Sequence, residues 1–145
     1  TIGRISISAL ALGNAIGAYQ IALKYSTERE AFGKKINKFQ GVSFKLAEME
    51  TQIQASRQLI YHAAWLRDQG KNVIKDAAIA KLFSSEMAMK ITTDAIQIHG
   101  GYGYIEDYHV ERCFRDAKIL EIGEGTSEVQ RIVISREILK NYSST

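Results

Sequence analysis

The chain has 145 residues, 46% apolar and 24% charged, with a formal net charge of +3. That describes one globular domain large enough for a core, and a small, scattered positive balance argues against nucleic acid as a partner. The single cysteine, Cys113, excludes an internal disulfide and fits a reducing compartment.

Proline supplies about 5% of an average chain and is absent here, which favours long uninterrupted helices. The chain opens directly into helical pattern, so no signal peptide is expected. Residues 2–31 read as one helix, closed by Gly33. Residues 5–23 carry no charge, but Ser6, Ser8, Asn14 and Gln20 make the stretch too polar for a membrane span, and a buried core helix is expected. Ala9, Gly13 and Gly17 fall at intervals of four, a stripe that lets another helix approach closely. Arg4 reads as a helix-terminal charge reaching solvent.

The linker Lys34–Gln40 is basic. Arg29, Phe32, Lys34, Lys35 and Lys38 form a cationic and aromatic cluster. It is either a solvated turn or a phosphate site, since arginine can clamp phosphate oxygens bidentately. A second helix spans about 42–68, with Leu46, Met49, Ile53, Ile60 and Ala64 inward and Gly70 stopping it. His62 has no partner at metal-ligand spacing. A third helix starts near Lys75 or Asp76 and ends at His99. Its apolar residues, from Ile79 to Ile98, cover a face wide enough for burial on several sides. The stretch QIHGGYGY at 97–104 follows no strand, so it is not a dinucleotide fingerprint; it is a helix end with a flexible turn. Residues 109–117 read as a short helix, in which Arg112, Arg115, Asp116 and Lys118 are expected to be salt-bridged. A last helix over about 127–141 is expected to turn Val129, Ile132, Val133 and Ile138 inward, and the tail Tyr142–Thr145 to fray. The fold class is therefore all-α: an antiparallel four-helix bundle with an additional short helix and no strand.

One carboxylate stands out. In ILEIGEGTSEVQR, at 119–131, Glu124 lies between Gly123 and Gly125, so neither neighbour has a side chain to obstruct a ligand. A helix starts at once: Thr126 or Ser127 is its N-cap, Ser127 and Gln130 fit a capping box, and Glu128 suits the positive end of the dipole. A carboxylate beside free N–H donors suits removal of a proton next to a carbonyl. The other reading is a loop glutamate ahead of a capped helix.

Three segments in order, REAFGKKINKFQ at 29–40, QIHGGYGY at 97–104 and EIGEGTSEVQR at 121–131, resemble motifs of the acyl-CoA dehydrogenases, short- or medium-chain-like. The resemblance spans nearly all of 1–145 and is to the family's C-terminal helical domain; its N-terminal helical and middle β-domains have no counterpart in these residues. It implies α,β-dehydrogenation of acyl-CoA thioesters to trans-2-enoyl-CoA with FAD, and Glu124 as the base. It implies that Arg29, Phe32, Gln40, Gln97 and Gly101 grip the FAD of a neighbouring subunit. Thr126 and Glu128 also fall to the cofactor, and Arg4 and Gly125 to the substrate. An electron-transfer flavoprotein as acceptor and a homo-oligomer, dimer or tetramer, are implied too. So is a cytoplasmic location in a bacterium or the mitochondrial matrix in a eukaryote. The chain departs from the pattern where many relatives have proline at Lys35, which is expected to loosen the turn, and where a bulky tyrosine is frequent at Gly123. Some branches carry their acid at the position of Gly3, which leaves Glu124 as the candidate here. Two other readings remain: a helical binding or oligomerisation module that is inactive as an isolated fragment, and an acyl-CoA oxidase domain.

Overall fold

The computed structural model describes residues 1–142; the rest of the tail expected to fray lies outside them. Five helices follow in order: α1 (Ile2–Glu28), α2 (Gln40–Asp68), α3 (Ile74–His99), α4 (Val110–Leu120) and α5 (Ser127–Leu139). The all-α antiparallel bundle is as expected. Helix α3 is its axis and packs against each of the other four. Small side chains make this possible. Ala11, Ala15, Ala18 and Ala22 of α1 and Ala80, Ala88 and Ala95 of α3 are fully buried, so these backbones approach closely. Met49, Ile53 and Ile60 bring α2 onto the same core, and Ser56 and Ser84 share a buried 2.7 Å hydrogen bond between α2 and α3.

The structure first departs from expectation at the end of α1. Helix α1 ends at Glu28, short of residue 31, and Arg29 is extended with its N–H on the Tyr25 carbonyl at 2.9 Å. The chain then makes a small antiparallel hairpin, β1 (Glu30–Ala31) with β2 (Lys34–Lys35). Its two-residue loop is Phe32–Gly33, with φ of 54° and 84°, the turn that matches strand twist. Lys35 Nζ donates to the Glu28 carbonyl at 3.1 Å and pairs with Glu30 at 3.3 Å.

Second, α1 is buried on one face only. It is long and apolar enough to cross a membrane by length and composition, yet its alanine face is core. The Ala9–Gly13–Gly17 stripe is on the open side, where a Cβ added at either glycine would meet nothing within 4 Å.

Third, α5 turns Ser127 and Gln130 inward. Val129, Ile132 and Ile138 are exposed by 39%, 53% and 51%, because the hydrogen bonds of Gln130 described below choose the inner face. In α4, Lys118 pairs with Glu121 at 3.2 Å; Arg112, Arg115 and Asp116 make no ion pair among the described residues.

Candidate active site

The turn that carries Glu124 is closed from both sides. The Gly123 N–H reaches the Ile119 carbonyl at 2.7 Å and the Ser127 N–H reaches the Glu121 carbonyl at 3.1 Å. Between them Glu124 and Gly125 both adopt left-handed backbone, φ 58° and 94°. Glycine does this freely; for glutamate it is strained. The next helix is capped by Thr126, whose hydroxyl accepts the Val129 N–H at 3.2 Å. Ser127 is thus the first helical residue, and the capping box with Gln130 does not form.

Gln130 does something else. It is fully buried, and its Nε2 donates to the Gly125 carbonyl at 3.0 Å and the Glu124 carbonyl at 3.4 Å. Its Oε1 accepts from Arg4 Nε at 2.9 Å. Arg4 therefore does not reach for solvent; it braces the turn from α1. The Glu124 carboxylate is directed at the same end of α1. A Cβ built on Gly3 would lie 2.8 Å from its Oε2. The absence of a side chain at residue 3 is what leaves room for the acid.

The sequence missed one member of this cluster. Lys81 of α3 is fully buried and its Nζ donates to the Gly125 carbonyl at 2.6 Å. Burial, and then the neighbouring Arg4 charge, push its pKa below the usual lysine value, while Glu121 and Glu124 pull it back up. A signal was present: Lys81 shares the helical phase of Ala77, Ala78 and Ser84, all buried.

The cofactor candidates form a second group. Arg29, Gln97 and Gly101 line one cleft of about 440 Å³ with Tyr25, His99 and Tyr102. The Arg29 guanidinium stands 5.5 Å from the Tyr102 ring centre. His99 forms the floor, stacked on Tyr25 at 4.2 Å with Nδ1 on the Ala95 carbonyl at 2.8 Å. Burial pushes its pKa below the usual imidazole value. Phe32 stands outside this cleft, 96% exposed at the hairpin tip and edge-on to Phe39 at 6.2 Å. Gln40 lines a different hollow with Phe44 and Glu48. Thr126 caps α5 beside the Glu124 turn, and Glu128 lies in the first turn of that helix. Lys81 and Gln97 are sixteen residues apart on α3, roughly 24 Å at the helical rise, so turn and cleft are at opposite ends of one helix.

Comparison with known proteins decides what family this is. A family model described as acyl-CoA dehydrogenase, C-terminal domain, matches residues 1–139. The chain belongs to that family. An acyl-CoA dehydrogenase of Bacillus subtilis (strain 168) is 51% identical over 138 residues, which is 95% of this chain and 36% of that protein. The CarC subunit of the caffeyl-CoA reductase-Etf complex of Acetobacterium woodii is 47% identical over 139 residues, 96% of this chain and 37% of that protein. The structure of butyryl-CoA dehydrogenase from Megasphaera elsdenii superposes with a TM-score of 0.93 at 52% identity, covering 94% of this chain and 36% of that one. The chain thus spans little more than a third of the length of these acyl-CoA dehydrogenase relatives. The family is one of flavin-dependent oxidoreductases, and it contains reductases as well as dehydrogenases.

Proposed function

We propose that this chain is the C-terminal domain of a longer flavin-dependent acyl-CoA dehydrogenase in which Glu124 is the α-proton-abstracting base. The observation that carries this is the Glu124 carboxylate beside the bare backbone of Gly3, on a turn braced by Arg4, Gln130 and Lys81. A thioester carbonyl acidifies the adjacent C–H. Glu124 takes that proton on a carboxylate oxygen, and the N–H groups of Glu124, Gly125 and Thr126, which have no hydrogen bond within the described chain, are free to meet a developing oxyanion. FAD, when bound, would accept the β-hydrogen with its electron pair, so that the trans-2-enoyl-CoA leaves.

The residues fit FAD in a particular way. The open cleft supplies an arginine for pyrophosphate and Tyr102 for a flat ring, and Gly101 admits close backbone approach, with nothing within 4 Å of a Cβ there. Arg29, Gln97 and Gly101 would grip the cofactor there, with Phe32 reaching it from the hairpin tip and Gln40 from the start of α2. Since Glu124 is at the far end of α3, the cleft would serve the flavin of a neighbouring subunit, and Thr126 and Glu128 that of their own. The exposed apolar residues of α5 support such a homo-oligomer. Light scattering showing a strict monomer at high micromolar concentration would count against it. An electron-transfer flavoprotein as acceptor is supported by the Etf complex of the A. woodii relative. That relative's name also keeps the reverse direction in view: in a reductase the same Glu124 would return the proton to the α-carbon.

Glu124→Gln in the longer protein tests the reading. Flavin reduction by acyl-CoA, followed by stopped flow, is expected to fall about 10²- to 10⁴-fold, with flavin content and substrate affinity nearly unchanged. Reduction at the parent rate rules out Glu124 as the base.

A further inference from the structure

A buried lysine has to be explained, because removing an ammonium from water is costly unless its donors are used. Lys81 is fully buried near the start of α3, and its bond to the Gly125 carbonyl is short, at 2.6 Å, as charge-assisted bonds are. Its acceptor is not a carboxylate but the backbone carbonyl one residue beyond Glu124. That carbonyl also receives Gln130 Nε2 at 3.0 Å, so two donors converge on it from different helices. A neutral donor is already present to satisfy the oxygen. The lysine adds a rigid strut from α3 and a positive charge under the turn. The charged groups acting on it are Arg4 of α1, Glu121 at the end of α4, and Glu124 itself. Since Glu124 and Gly125 are both left-handed, the turn persists only where its surroundings over-determine it.

We propose that Lys81 is a positioning residue for Glu124: by fixing the Gly125 carbonyl it holds the strained turn, and with it the carboxylate, at the Gly3 end of α1. The inference rests on the reading of Glu124 as base. Lys81 touches neither substrate nor cofactor in this scheme; it acts through the backbone of the turn. A misplacement of about 1 Å at a reacting group can lower a rate about a hundredfold, so loss of the strut should be visible in chemistry before it is visible in stability.

The test is Lys81→Met in the longer flavoprotein, a swap that keeps length and removes the ammonium. Amide hydrogen exchange at Gly123 and Ser127, the two turn amides held by backbone carbonyls, is expected to quicken at least about tenfold, and flavin reduction by acyl-CoA to slow about ten- to a hundredfold. Flavin content, substrate affinity and exchange in α2 should stay at parent values. A merely structural lysine would instead lower melting temperature and flavin content together. Parent-like exchange at the turn with parent-like reduction overturns the proposal. The double variant Lys81→Met/Glu124→Gln should reduce no more slowly than Glu124→Gln alone, because the two act in one unit; additive losses also overturn it. If Glu124→Gln alone reduces normally, the base reading fails, and turn exchange still decides the role of Lys81. Should Lys81→Met fail to fold, Lys81→Gln, which drops the charge and keeps a shorter donor, takes the same readouts.

Discussion

Replacing Gly3 by alanine separates stability from chemistry at the proposed base. The added Cβ would lie 2.8 Å from Glu124 Oε2 and 3.3 Å from its Cδ. Ordinary contact needs about 3.4 Å, so the carboxylate must retreat by roughly 0.6 Å. It can do so cheaply, since it is the exposed end of a flexible side chain. Alanine in place of glycine within a helix stabilises by about 0.5–1 kcal/mol, and the clash is relieved by rotation rather than by backbone movement. Gly3→Ala should therefore be as stable as the parent, or slightly more so. The displaced base should slow flavin reduction about ten- to thirtyfold, scaled from the loss expected for a 1 Å misplacement. The assay is stopped-flow reduction by acyl-CoA at saturating substrate, beside thermal unfolding of the same preparation. Reduction within twofold of the parent would show that the carboxylate position beside Gly3 is not the reactive one.

Other perturbations bear on the second cleft and the core. Arg29→Ala, at an exposed cap position, should leave melting temperature unchanged and lower the flavin retained after long dialysis; equal flavin content removes Arg29 from the cofactor site. Gly103→Ala should destabilise by about 1–3 kcal/mol, because its Cβ would meet the Ile96 carbonyl at 2.7 Å and His99 Cβ at 2.9 Å; a denaturation midpoint equal to the parent's would contradict that packing. His99 has a folded pKa below its ordinary 6.5, so between those two values the unfolded chain binds more protons. Its contribution to stability is full above about pH 6.5 and is lost as pH falls toward the folded value. His99→Phe keeps the stack on Tyr25 and should flatten that slope between about pH 7.5 and pH 5; parallel curves for parent and variant would exclude it.

The long helices were legible because nothing in the chain interrupts them and their apolar periodicity is strong. Gly70 and the end of α3 at His99 fell where expected. The end of α1 was not, since Glu28–Ala31 contains no helix breaker, and the left-handed Phe32 is a conformation that bulky residues avoid. The inner face of α5 was misassigned for a different reason. Periodicity weighs Val129, Ile132 and Ile138, whereas the decisive contacts are the polar ones of Gln130. At the candidate site, Glu124, its glycines and the cap could be read locally. Lys81 could not be tied to them, because its partner is a backbone carbonyl 44 residues away, and carbonyl positions leave no trace in residue identity. Grouping also needed coordinates: Gln97 and Gly101 join Arg29 in the cleft, and Gln40 does not.

The left-handed backbone at Glu124 has a consequence for how this chain would change under selection. A non-glycine residue at φ 58° gives up about 1–2 kcal/mol relative to glycine, and asparagine also tolerates the conformation better than glutamate does. Selection for heat resistance alone would therefore favour glycine or asparagine at position 124. Such variants should appear early in a thermal screen of a random library and fail any screen that requires turnover. A glutamate at this φ is at odds with its own conformational preference, the cost that the proposed role of Glu124 as base would have to offset.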